Sequence, residues 1–162
     1  MKNKAMLLVG VAALIASLSS SVYSQSAATT AVGEQRFAEI QDATGEVTMK
    51  ATPDDRWRLA VKGMKMNENG EIKTGKDSTA VILLDEKGAT GKVDIKPNTW
   101  MRIAELGYDE KQENKKTLLD LALGQVLVKA EKLKGESSFQ VRTPTSTTSV
   151  RGTVFEVKVE EE

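Results

Sequence analysis

The 162-residue chain contains no cysteine and no histidine. The first absence excludes a thiol nucleophile, a disulfide framework and a thiolate zinc site. The second removes the commonest proton carrier of hydrolytic mechanisms. A metal ion would have to be held by oxygen ligands alone, and no Asp/Asn/Gly calcium loop is present, so neither metal nor cofactor is expected. Aromatic residues are only 4% and prolines only three. Charge of either sign is not in excess, with 23 basic and 23 acidic residues interspersed along the chain. That balance argues against nucleic acid, which demands a basic surface, and against a block that would favour anionic lipid. No apolar run reaches the roughly 20 residues of a membrane-spanning helix.

What is present begins with a targeting pattern. Lys2 and Lys4 precede an apolar core, Ala5 to Leu18, and a small polar stretch, Ser19 to Ser26. Val22 and Ser24 suit the −3 and −1 positions of a cleavage site, which places a mature start at Gln25, with Ala27 as a second possible cut. Residues 1–24 therefore read as a signal peptide and 25–35 as a small, polar, aperiodic leader. Cleavage would remove two lysines and no carboxylate, leaving a slightly acidic chain for the periplasm or extracellular space. An exported domain without disulfides must be held by its core alone.

From Arg36 onward the pattern is one of short alternating strands separated by Gly, Pro, Asn and Asp turns. Gly45 to Met49 is a first strand, Thr52 to Asp55 a turn, and Trp57, Leu59 and Val61, alternating with Arg58, Ala60 and Lys62, a second strand that ends at Gly63. Asn69-Gly70 and Thr74 to Asp77 are turns around the inward Ile72. Ala80, Ile82 and Leu84 mark a more buried strand with Val81 and Leu83 on its other face. Val93, Ile95, Pro97, Thr99, Met101 and Ile103 keep period 2, with Pro97 as a break. Gly107 to Lys116 reads as a solvated hairpin loop. Leu119, Leu121 and Leu123 fit a strand, although Leu118 to Leu123 also fits two helical turns. Gly124-Gln125 then bends the chain into Val126 and Val128. Phe139, Val141 and Thr143 form one strand face up to Pro144, and Thr153, Phe155, Val157 and Val159 another, with Gly152 as a bulge or tight bend. About ten strands result, hence an all-β single domain over 36–160 of mainly antiparallel strands. It is either a two-layer sandwich or a compact β-solenoid-like stack.

Several ordered blocks resemble the FecR domain. They are Gly70 to Ser78, including Thr74 and Gly75; Ala80, Ile82 and Leu84; Pro97 to Thr99; Leu121, Gly124, Val126 and Val128; and Phe139 to Thr143 with Pro144. The most specific is Val150-Arg151-Gly152-Thr153-Val154-Phe155-Glu156-Val157, similar to the family signature VRGTxFxV. The resemblance implies a periplasmic-type signalling module, in the form of a stand-alone exported domain without the cytoplasmic sigma-factor-binding segment of the transmembrane regulators. It does not imply anti-sigma activity or iron-citrate transport.

The function expected is a non-catalytic protein-binding or sensing module of the bacterial cell envelope, with an envelope protein as partner. Alternatives are a structural or assembly component, or a module that binds a cell-wall polymer. The candidate binding loop is Thr145, Ser146, Thr147, Thr148 and Ser149; its bland alternative is a loop whose hydroxyls satisfy their own backbone. Arg151 reads as pairing with an acidic neighbour and fixing the bend at Gly152. Trp57, Trp100, Tyr108 and Phe37 are the aromatics available to anchor an interface or a sugar, and Trp100, opposite Thr99 and Met101, is the most suggestive. A hydrolase would need Asp54 with Asp55, or Ser78 with Lys76, and no oxyanion device accompanies either pair.

Overall fold

The computed structural model describes residues 35–160; the signal-peptide and cleavage expectations fall on residues outside that range. Alternating sequence becomes strand almost throughout, and among the described residues the only helical piece is one 3-10 turn at Glu86–Gly88. Twelve strands form in order: β1 (Ala38–Thr44), β2 (Val47–Lys50), β3 (Arg58–Leu59), β4 (Lys65–Met66), β5 (Glu71–Thr74) and β6 (Thr79–Leu84). β7 (Gly91–Ile95), β8 (Trp100–Asp109), β9 (Asn114–Ala130), β10 (Ser138–Arg142), β11 (Thr147–Val150) and β12 (Val154–Val159) complete the chain. All-β architecture is thus the outcome. Every pairing is antiparallel except that of β10 with β9.

The strands follow the path β3-β2-β5-β8-β9-β7-β6-β1-β4, and the 17-residue β9 is its pivot. The first half of β9 pairs with β8 on one side and β10 on the other, while its second half pairs with β7 and β12. The change of partners centres on Gly124, whose φ of +93° is open only to glycine at little cost. A Cβ there would lie 2.5 Å from Thr99 Cα and 2.6 Å from the Asn98 carbonyl oxygen. Thr99, itself buried, supplies what the bent ladder lacks: its Oγ1 accepts the Gln125 N–H at 3.0 Å. Leu118–Leu123 is therefore strand, not helix: β8 pairs along it on one side, and β10 pairs with Leu118–Asp120 on the other.

One hydrophobic cluster runs through the curled sheet. Ile40, Ile82, Val93 and Val128 come from one part of the path, and Met49, Ile72, Met101 and Leu121 from the other. Phe139 on β10 is fully buried and meets Phe155 on β12 edge to face, with ring centroids 6.4 Å apart. Such a pair contributes about 0.5–1.5 kcal/mol beyond its area, and it ties the two late strands to one core.

A buried polar node sits where the chain enters the sheet. Arg36 Nε donates to both Asp85 carboxylate oxygens, at 2.9 and 3.1 Å. Its Nη1 donates to the Gly107 and Lys116 carbonyls, and its Nη2 to the Thr90 and Thr117 hydroxyls. Lys115 Nζ approaches Asp85 from the other side at 3.1 Å. Burial pushes the Asp85 carboxyl up, but bonds from Arg36, Thr90 and Lys115 and the Arg36 charge outweigh it, and the group lies below the ordinary carboxylate range.

Three sequence expectations change. Trp57, Leu59 and Val61 are exposed, and so are Arg58 and Lys62 on the other face; Ala60 is the one buried residue between Trp57 and Lys62. Only Arg58–Leu59 of this segment is strand, at the end of the sheet path. The hairpin expected over Gly107 to Lys116 forms, with Gly107 paired to Lys116 and Asp109 to Asn114. The hydroxyl tract is largely strand: Thr147, Thr148 and Ser149 pair with Arg142, Val141 and Gln140. Among the described residues Arg151 has no acidic partner; its Nη2 donates to the Gly135 carbonyl at 2.8 Å.

Candidate functional site

The chemically distinctive surface is the outer face of β2, β5, β8, β9 and β10. Period-2 alternation buries Met49, Ile72, Met101, Leu121 and Val141 and turns the residues between them outward. Register then sets the outward residues side by side. Glu71 pairs with Arg102, Arg102 with Asp120, and Asp120 with Arg142, giving a cross-strand row of alternating sign. Arg102 Nη2 reaches Asp120 at 2.6 Å, and Arg142 grips the same carboxylate through Nε and Nη2, at 2.6 and 2.8 Å. Partial burial raises the Asp120 pKa, but hydrogen bonds from Arg142 and Arg102 and their two charges prevail and hold it low.

The neighbouring row is aromatic and cationic. Lys73 pairs with Trp100 across β5 and β8, and its ammonium lies 4.2 Å from the Trp100 ring centroid and 4.5 Å from that of Trp57. Lys50 lies 5.2 Å from the Trp57 ring. Trp100 is 42% exposed, and its indole N–H donates to Glu71 at 2.8 Å. A groove of about 320 Å³ runs between Trp100 on one flank and Thr143 and Pro144 on the other, with Ala122 exposed between them and the charged row along its length.

The candidate loop contributes less than its sequence suggests. The β10–β11 hairpin closes around Pro144 and Thr145, and Thr143 Oγ1 accepts the Ser146 N–H at 3.0 Å while Thr143 N donates to the Ser146 carbonyl. The hydroxyls at the turn thus serve their own backbone. Thr143 and Pro144 reach the groove; Thr147, Thr148 and Ser149 lie on the outer strand β11. The other signature residues are joints. Thr74 Oγ1 donates to the Lys96 carbonyl at 2.6 Å and accepts the Thr99 N–H. Gly70 leaves no space for a Cβ, which would sit 2.9 Å from the Ala51 carbonyl oxygen, and Gly75 N donates to the Glu46 carbonyl. Gly152 takes φ +64° with Lys132 Cα 3.0 Å from where a Cβ would be. Val150, Phe155 and Val157 pack against the core, whereas Thr153 is exposed.

The hydrolase candidates are committed elsewhere. Ser78 is buried, its Oγ accepting the Glu46 N–H at 2.8 Å and donating to the Lys76 carbonyl at 3.0 Å. Asp55 accepts the Thr52 N–H and caps its turn. Among the described residues no group of three or more acidic side chains is arranged to hold a metal ion, and no helix is long and apolar enough to cross a membrane. Sequence reasoning singled out Trp100 but missed Arg102, Asp120 and Arg142. Their only signal was an outward position on three separate alternating strands, which becomes a row once register is known.

Twelve strands on one core, joined at tight glycine and threonine turns and carrying an outward aromatic and charged face, define an all-β domain whose signature residues build its joints. The model of the FecR protein family matches residues 70–162, more than half of the chain, and the chain belongs to that family. No curated protein and no solved structure matches it.

Proposed function

We propose that the chain is a non-catalytic sensing module of the bacterial cell envelope, exported by its N-terminal segment, that holds an extended acidic segment of a protein partner on the β3 edge. The observation that carries this reading is the exposure of Trp57, Leu59 and Val61, at 37%, 65% and 52%. Their alternation is that of a strand with a buried face, yet nothing among the described residues covers it. β3 pairs with β2 alone, so its outer main-chain edge has no ladder partner among the described residues, and strand addition is available there. The charge against the Trp57 ring and on β3 is basic, from Lys50, Lys73 and the exposed Arg58, while Asp54 and Asp55 belong to the preceding turn. Acidic residues on the incoming segment would be complementary. Membership in the FecR family supports a signalling role, and the backbone duties of Ser78 and Asp55 support a role without turnover.

The test places a photo-crosslinking residue at position 59 in the native cell envelope and identifies what it captures. One partner, cross-linked through an acidic extended segment, is expected, with capture reduced at least about tenfold by Trp57→Ala, in the range of a central aromatic anchor. The same yield from a crosslinker at Lys92, on a different strand, or capture indifferent to Trp57→Ala, would sink the reading. N-terminal sequencing of the recovered protein should begin at Gln25; retention of residues 1–24 in the cytoplasm would overturn the export step.

A further inference from the structure

We propose that the groove between Trp100 and Pro144 is a saccharide site that takes a neutral pyranose stacked on the Trp100 ring. Two strands separate the site from β3, with Lys73 between the Trp57 and Trp100 rings, and the proposal does not rest on the partner reading. Its volume of about 320 Å³ is at the small end of ligand clefts, which run from roughly 300 to 1,000 Å³. That suits one or two sugar rings better than a folded partner.

Three features select this chemistry. The first is the aromatic platform. Lys73, which does not line the groove, covers one face of the Trp100 indole. The ring's other face and the Pro144 ring remain as apolar walls for the C–H faces of a pyranose. The floor between them is small because the β8–β9 register shifts there, Trp100 opposing Leu123 and Met101 opposing Leu121, so that Ala122 falls at the irregularity.

The second is a set of planar polar groups held in place before any ligand arrives. Arg142 uses Nε and Nη2 on Asp120, and Arg102 uses Nη2, so each guanidinium keeps donors with no partner among the described residues. Glu71 uses one oxygen on the Trp100 N–H and keeps the other as an acceptor. Fixed donors and acceptors side by side match adjacent hydroxyls, each of which both donates and accepts. The third is charge. Glu71, Arg102, Asp120 and Arg142 sum to zero, so the row draws neither an anion nor a cation. Nor can a peptide add as a strand here, because β5, β8, β9 and β10 are already paired to one another across the face.

The test is titration of the full chain with neutral tetraoses of glucose in both anomeric linkages and of N-acetylglucosamine, followed by calorimetry and by the indole N–H resonances. The chain has two tryptophans, hence two such resonances, and Trp57→Phe assigns them. At least one tetraose should bind saturably and move the Trp100 resonance, with little change between low and high salt because the ligand is neutral. Ala122→Leu, which fills the groove from an exposed position, should weaken binding at least tenfold while leaving the urea midpoint in place, and Arg142→Ala should weaken it at least tenfold while the chain stays folded. The proposal is overturned by no saturable response at about 10 mM, ten times the concentration that fills half of a millimolar site. It is equally overturned by binding that Ala122→Leu leaves intact, or by a response to acidic oligosaccharides or a proline-rich peptide only.

Discussion

Replacing Arg36 by Met tests whether the polar node at the start of the sheet holds the fold together. The Arg36 side chain is 2% exposed and that of Asp85 9%, so the substitution leaves a carboxylate buried without its main partner. Removing one member of a buried ion pair costs about 3–5 kcal/mol, because the remaining charge stays desolvated. Lys115 Nζ, 3.1 Å from Asp85, still compensates part of that charge, which places the expectation near the lower end, at about 3 kcal/mol. Urea unfolding followed by circular dichroism is the assay. With a slope of about 1–3 kcal/mol/M, the midpoint should fall by roughly 1–3 M with the slope unchanged. Adding Asp85→Asn should recover part of the loss, since asparagine keeps the shape of the side chain and carries no charge. Acid supplies a second check. The Asp85 pKa is lowered on folding, so its stabilisation is present above the unfolded value of about 3.9 and is lost as pH falls through the folded value. Arg36→Met removes the lowering bonds but keeps the burial, so the gap between native and variant should narrow from pH 7 to pH 3. A loss under about 1 kcal/mol, additive single and double variants, or a gap that widens in acid would refute this account.

The bend in β9 gives two further expectations. Gly124→Ala forces a Cβ against the Thr99 Cα and the Asn98 carbonyl at positive φ, and since both are backbone the loss should be about 2–4 kcal/mol, read as a lower melting temperature. Thr99→Val keeps the shape but removes the acceptor of the Gln125 N–H, with an expected loss of about 1–3 kcal/mol, and Thr99→Ser should recover most of it. Hydrogen exchange should localise both effects to Gly124–Val126. Exchange unaltered there, or a Thr99→Val loss exceeding that of Gly124→Ala, would argue against the bend as the pivot between the two sets of strand partners.

The amino-acid sequence by itself determined most of the strand segments and which residues of most of those strands face inward. Alternation with period 2 is a local property, and Ile72, Ile82, Val93, Met101, Leu119 and Val141 are buried as that alternation requires. Turn chemistry is local as well, and Asn69 and Gly152 do adopt the positive φ their contexts suggest. The family, too, was legible in the order of short blocks ending at Val150 to Val157. Only the tertiary structure decided what lies beside what. The length of β9 was hidden because Gly124 interrupts its pattern, although the strand continues through the bend with new partners on both sides. The hydroxyl tract looked like a loop because Thr and Ser fit loops and edge strands alike, and pairing with β10 made most of it strand. Trp57, Leu59 and Val61 carry the pattern of a buried face, but β3 stands at the end of the sheet path, where nothing described covers them. Glu71, Arg102, Asp120 and Arg142 each appear alone in sequence as an outward charge on a strand. Register makes them one row beside Trp100, because neighbours across a sheet are set by hydrogen-bond pairing between segments as far apart as Glu71 and Arg142.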